Sequence, residues 1–308
     1  MKQLCCYNEY FEKFPYICSV NLNIGHMLKL RGLISLYLLS FSLISLIAQE
    51  SNNSITSGGW TLGAGKVSVY DEYLSPLVYT GTLYRFDYGS MRFVSPDNNN
   101  ISIQKTLMVS SGLTNNPSLS NSIFYFSLRP GLGFHYHFRP MKDLKVMLGG
   151  TWDLFFASKY NFNNGNNPYS ADLSTHLNAS AMAQYLLKIK NFPIMFRYSA
   201  QTPLIGEMFV PEYGASYYEM FTLHHMGDAL HFASVNNFLA FKSSFTADFM
   251  FRSWILRLAY YHDYQKNQAN YLHFETLQNV FSIGTVVNFS FFDRGKRKAP
   301  SSYNDINQ

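Results

Sequence analysis

Beyond residue 48 the sequence contains no cysteine, because Cys5, Cys6 and Cys18 are its only three. In a mature chain starting near Gln49 that absence excludes a disulfide framework, a thiolate zinc site and a cysteine nucleophile. Charge is scarce as well. Only 14% of the 308 residues are Asp, Glu, Lys or Arg, against about a quarter in ordinary soluble domains. Four of the cations, Arg294, Lys296, Arg297 and Lys298, crowd near the C-terminus. The body is therefore nearly neutral and offers no electrostatic footprint for nucleic acid. After residue 48 there is also no apolar run near the roughly 20 residues that a spanning helix needs.

Aromatic residues are abundant. The chain carries 23 Tyr and 27 Phe, and aromatics make up 17% of it, a composition suited to a surface that meets lipid and its interfaces. One apolar run does occur, in "MLKLRGLISLYLLSFSLISLIAQESNN". Lys29 and Arg31 precede a run from Gly32 to Ile47, which ends at Ala48 and polar sequence. This is the layout of a secretory signal peptide. The domain reading is an upstream extension at 1–26, a signal peptide at 27–48, a short segment at 49–59, a barrel at 60–292 and a basic polar tail at 293–308.

The remainder alternates with period two. In "NVFSIGTVVNFSFF", Phe281, Ile283, Thr285, Val287, Phe289 and Phe291 share one face and Ser282, Gly284, Val286, Asn288 and Ser290 the other. In "DLSTHLNASAMAQYLLKI", Leu173, Leu177, Ala179, Ala181, Ala183, Tyr185 and Leu187 oppose Asp172, Ser174, His176, Asn178, Ser180 and Gln184. Soluble sheets alternate too, but these segments are long, follow an export signal and keep charge on one face. Ten segments qualify, within a range of eight to twelve: 60–70, 79–95, 101–111, 122–139, 144–159, 172–189, 194–202, 234–251, 253–264 and 279–292. The fold expected is all-β, an antiparallel transmembrane β-barrel of about ten strands, closed so that backbone groups in lipid are satisfied. "GAGKVSV" lacks the core of a phosphate loop and reads as a strand with bending glycines. Pro130 needs a bulge or weak pairing, and Lys105 falls on the lipid-facing series, so its amine must reach an interface.

Short connections fall at one end and longer ones, at 71–78, 112–121, 161–171, 203–233 and 265–278, at the other. The long insert from Pro203 to Ala233 reads as an ordered extracellular or lumen-capping loop. Its candidate surface is Phe209, Tyr213, Tyr217, Tyr218, Glu219 and Phe221, available to stack on sugars or lipid chains or to form the loop's own small core. Facing inward are Arg85, Asp87, Arg129, Asp153, His176, Arg197, Lys242, Asp248, Arg257 and Asp263, with His135, Asn178 and Gln201 beside them. Charges of both signs in one lumen imply paired networks that fill it. His224, His225, Asp228 and His231 match no zinc spacing, so neither metal nor cofactor is expected.

"LIGEMFVPEYGASYYEMF" and "YDEYLSPLVYTG" resemble motifs of an uncharacterised family of exported β-barrel proteins from Bacteroidota, catalogued as a domain of unknown function. The resemblance runs from about Trp60 to Phe292 and implies an outer-membrane barrel without an assigned activity. The expected role is non-enzymatic, either surface binding and structure or restricted passage of a small solute. The expected partners are outer-membrane lipid and, during biogenesis, the barrel-assembly machinery. The alternatives are a lipid hydrolase or acyltransferase, which needs a hydroxyl bonded to His135, His176, His224 or His225 with an acid or amide behind the histidine, and a secreted soluble β protein.

Overall fold

A computed structural model of the protein describes residues 56–95, 98–165, 167–190, 192–212, 217, 229–251 and 254–289. The expected extension, signal peptide and C-terminal tail lie outside them. Eleven strand segments follow in order: β1 (Thr56–Asp71), β2 (Ser75–Ser95), β3 (Asn98–Asn115), β4 (Ser122–Met141), β5 (Leu144–Asn161), β6 (Tyr169–Ile189), β7 (Phe192–Phe209), β8 (Leu230–Ser234), β9 (Phe238–Met250), β10 (Ile255–Ala269) and β11 (Leu272–Phe289). All pairings are antiparallel, β1 pairs with β11, and β6 pairs with β7, so the sheet closes on itself.

The barrel has ten staves, because β8 and β9 share one. Both pair with β7, β8 along Ile205–Phe209 and β9 along Ile194–Gln201. The turn between them is stitched by Asn237, whose Oδ1 accepts from Ser234 N at 2.8 Å and whose Nδ2 donates to Phe232 O at 2.8 Å. Each of the ten segments read from the alternation coincides with a stave, and the barrel is the expected all-β antiparallel one.

Both chain ends of the barrel share one end, the terminal end, with three of its four two-residue connections. The loop end is opposite. Here the expected boundaries need correction. Residues 265–278 are not a loop: β10 and β11 continue to a two-residue turn at Asn270 and Tyr271, with φ of 51° and 60°, the geometry of a tight hairpin. Residues 71–78 shrink to a turn at 72–74, and β1 begins at Thr56 rather than Trp60. Within the insert, Pro203–Phe209 extends β7 and Leu230–Ser234 forms β8.

One physical cause underlies these differences. A strand crosses lipid in roughly 9 to 11 residues, yet β10 has 15 and β11 has 18. The excess stands outside the lipid, where the outer face need not be apolar. On β1 and β11 the outward series Trp60, Leu62, Phe281 and Ile283, exposed by 43%, 53%, 72% and 56%, gives way to Lys66, Asn279 and Glu275. Lys66 and His262 both pair with Asn279, and Asn279 Oδ1 lies 2.8 Å from His262 Nδ1 and accepts from Tyr260 Oη at 2.8 Å. This polar seam ends the apolar band of the outer face on these strands. At the terminal end Phe251 stacks on Trp254 at 4.6 Å and meets Phe192 at 5.3 Å, as an interfacial aromatic girdle does.

The awkward positions resolve in the same frame. Pro130 pairs with Leu107 on β3, but the ladder to β5 lapses between Leu128 and Gly131 without a change of register. It is a weak pairing, not a bulge. Lys105 lies between the outward residues Ser90 and Leu132, toward the terminal end of β3. Gly65 sits in β1, where a Cβ would meet the Asn279 carbonyl oxygen at 1.9 Å, so only glycine allows β11 to approach so closely.

Ile283→Arg, which sets a cation on the lipid face below the polar seam, should cost about 2 to 4 kcal/mol. Thr80→Arg, on the outer face above the seam, should cost less than about 1 kcal/mol. Urea unfolding of the barrel in lipid vesicles measures both.

Candidate functional site

Pleating directs every second residue inward, and all ten charged or histidine positions expected in the lumen point there. They form a network rather than a ring of separate charges. Arg85 grips Asp87 with Nε and Nη2, both at 2.8 Å, and reaches Asp263 with Nη1 at 2.7 Å. Arg129 donates to the same Asp263 and to Gln265, each at 3.3 Å. Because β4 and β10 are opposite staves, the Arg129–Asp263 pair spans the bore.

A second group adjoins it. Lys242 donates to Asp153, and to Asn178 Oδ1 at 3.2 Å. His176 Nδ1 stands 3.9 Å from Asp153, and its ring lies on Phe238 with centroids 3.9 Å apart. Toward the terminal end Arg257 holds Asp248 through two bonds of 2.6 Å. Arg197 donates from Nε and Nη2 to the Gln184 amide oxygen at 2.6 Å when that oxygen faces it.

Toward the loop end the bore turns apolar. Val67, Leu83, Tyr125, Phe155 and Val280 form one buried cluster, and Gln278 Nε2 donates to Tyr125 Oη at 3.0 Å. Above it lies a charged centre that the sequence reading missed. Lys159, fully buried, donates to Asp71 at 2.8 Å and to Asp172 at 2.7 Å, and its Nζ lies 5.1 Å from the Phe274 ring centroid. Asp71 also accepts from the Tyr73 and Leu74 amides at 3.1 and 3.2 Å, so one carboxylate shapes the β1–β2 turn and ties it to β5. The available signal was the inward series Phe155, Ala157 and Lys159. It shows where Lys159 points, but not that Asp71 from four staves away meets it.

Of the expected loop surface, Phe209 is buried and packs with Tyr217 and Ala229. Tyr217 also meets Tyr73 at 5.6 Å and Tyr169 at 5.5 Å, edge to face. Its hydroxyl accepts from Ala171 N at 2.7 Å, and burial pushes its pKa above the usual phenol value. These two residues form a small core at the mouth instead of a free stacking surface. Tyr213, Tyr218, Glu219 and Phe221, like His224, His225 and Asp228, lie outside the described residues.

The histidines make a pattern that falls short of a triad. His135 Nε2 lies 2.9 Å from Ser180 Oγ, and His137 Nε2 lies 2.7 Å from Ser102 Oγ. Behind each, Nδ1 has no hydrogen-bond partner, so no carboxylate or amide orients the ring. The Ser174 hydroxyl has no partner either. Among the described residues no three His, Cys, Asp or Glu side chains could together hold a metal ion. Between the ion network and the terminal end the bore opens into a cavity of about 180 Å³, with Arg85, Arg129, Arg197, Lys242 and Arg257 in its wall beside Asp87 and Asp263.

Comparison with known proteins adds a family. The family described as "Protein of unknown function (DUF3316)" matches residues 32–297. No curated protein matches. Among solved structures, the outer membrane protease OmpT of Escherichia coli is similar at 8% identity, over 77% of this chain and 97% of that one, with a TM-score of 0.41. The transport unit of the Escherichia coli autotransporter AIDA-I is similar at 10% identity, over 77% and 91%, with a TM-score of 0.36. An outer membrane channel of Pseudomonas putida F1 is similar at 9% identity, over 78% and 98%, with a TM-score of 0.32. All three TM-scores lie below 0.5, so these likenesses add nothing to the closed antiparallel barrel described above.

Lys159→Met removes the cation between two buried carboxylates and should destabilise the barrel by about 3 to 5 kcal/mol. Lys188→Met, which breaks the exposed pair with Asp143 at 3.8 Å, should cost no more than about 1 kcal/mol. Denaturant unfolding of the two variants in detergent checks the contrast.

Proposed function

The chain belongs to the DUF3316 family, and because that family brings no activity with it, we propose a role from the barrel's own geometry: a non-enzymatic outer-membrane barrel with a closed bore, which works by binding at its ends. The observation that carries this reading is the filling of the lumen by wall side chains. An ion pair crosses between opposite staves, an apolar cluster lies above it, and the Lys159 centre lies above that. A barrel of eight strands is just filled by side chains, and far wider ones leave aqueous channels. Ten staves carrying this many long inward residues fall on the filled side, which argues against solute passage.

In this reading the segment 27–48 exports the chain, the terminal end faces the periplasm and the loop end faces outward, the usual polarity of such barrels. Lipid surrounds the band below the Lys66–Asn279–His262 seam, and the barrel-assembly machinery is the partner during biogenesis. The Bacteroidota lineage is inferred from the motifs alone. A lipid-modifying enzyme is the weaker reading. Among the described residues its serine and histidine pairs, Ser180 with His135 and Ser102 with His137, lie buried inside the bore and lack the third group that would orient the base.

The mature chain in planar lipid bilayers should show no steady ion conductance. Deletion of 213–228 should leave it insulating, because the closure resides in the staves and not in that loop. Steady conductance of the intact chain would overturn the closed bore, and conductance of the deletion alone would move the closure to the loop.

A further inference from the structure

On the outer wall, where the apolar face of β1, β10 and β11 meets the polar seam, Gly65, Lys66, Tyr260, Asn279 and Phe281 line a groove. We propose that this groove binds one anionic lipid, with the headgroup oxygens on Lys66 and Asn279 and a chain laid along Phe281. The inference rests on the outer wall standing in lipid, as proposed above, and not on the closed bore.

The polar end of the groove is set up to donate hydrogen bonds. Lys66 is exposed and stands beside Asn279 in the β1–β11 register, and among the described residues its amine has neither a hydrogen-bond nor an ion-pair partner. The first carboxylate above it on the outward series of β11 is Glu275, four residues from Asn279 and so about 13 Å along the strand. His273 Nε2 stands 3.6 Å from that carboxylate. Asn279 is held in one orientation, because its Oδ1 accepts from Tyr260 Oη at 2.8 Å and lies 2.8 Å from His262 Nδ1. Its Nδ2 therefore keeps both N–H groups without a partner among the described residues. An ammonium beside an amide already turned to donate suits an anion with several acceptor oxygens, such as a phosphodiester.

The rest of the groove is apolar, and it selects a lipid over a free ion. The Tyr260 and Phe281 rings meet with centroids 4.8 Å apart and form one wall. Across β1 from Phe281 stands Ala64, whose single methyl group leaves that side of the ring uncovered, and Phe281 is largely exposed. Toward the terminal end the same face continues through Leu62 and Ile283, both exposed. A free anion would leave this surface bare, whereas a hydrocarbon chain joined to the anion covers it. A lysine that merely reached for water past the apolar band would need neither the oriented amide nor the groove.

The test titrates the full processed chain in neutral detergent micelles with phosphatidylglycerol, with phosphatidylcholine of the same chain length, and with glycerophosphoglycerol, the first headgroup without its chains. Native mass spectrometry counts the molecules bound. The first phosphatidylglycerol should bind about fivefold more tightly than phosphatidylcholine, the effect of one lysine beside an anionic lipid, and at least about tenfold more tightly than the free headgroup. Lys66→Gln should abolish the preference for the anionic lipid. Asn279→Leu, which removes the amide but no charge, should weaken phosphatidylglycerol binding about threefold or more, the effect of one hydrogen bond. Either variant decides the matter if the other does not fold. Lys188→Gln, at an exposed lysine paired with Asp143, should change neither quantity. Equal binding of the two lipids, equal binding of the free headgroup, a preference that survives Lys66→Gln, or an affinity untouched by Asn279→Leu overturns the proposal. Steady conductance of the intact barrel would overturn the closed bore yet leave this titration standing, and a missing lipid preference would leave the closed bore standing. A processed chain that stays dissolved without detergent would remove the lipid-facing wall and the site together.

Discussion

The pairing of β6 with β7 and of β1 with β11 is the constraint on which the molecule depends. In hydrocarbon an unpaired amide or carbonyl costs several kcal/mol, so a sheet can sit there only if it has no edge. Closure then dictates the rest. Once the sheet is a ring, pleating gives each stave a lipid face and a bore face, and a register slip by one residue would exchange them. The Leu, Phe and Ile series on one side and the Asp, Arg and Ser series on the other are two results of a single backbone requirement.

Closure at ten staves also sets the electrostatics. The bore is too narrow for bulk water to solvate every charge, so inward arginines and lysines must find carboxylates across it. Arg85 and Arg129 share Asp263, Lys242 holds Asp153, and Lys159 sits between Asp71 and Asp172. These pairs join staves distant in the chain and give the barrel internal cross-braces. They also divide the bore unevenly, with a packed loop half and a cavity toward the terminal end. The same side chains that stabilise the barrel thereby set where space remains in the bore.

The ten staves were legible because alternation within lipid is imposed on every one of them. The hairpin at Asn270 and Tyr271 was not. Above the lipid rim the outward positions of β10 and β11 carry His262, Lys266, Glu275 and His273, so the contrast between faces that marks a strand disappears while the hydrogen bonding continues. The inward set was legible for the same reason as the staves. The Lys159 centre was not, since alternation assigns a side to a residue but says nothing about its height relative to residues on other staves. Phe209 and Tyr217 were recognised as a group, but whether they faced solvent or one another depended on how β6, β7 and the mouth come together.

From the amino-acid sequence alone came the class of the protein, the number of staves and the side on which each residue stands, because a two-residue period is a local property of an extended backbone. The tertiary structure decided which charges meet, where the bore is filled and where it stays open. Those outcomes depend on the stagger between staves and the distance across the ring, quantities shared by the whole closed sheet and written in no single strand.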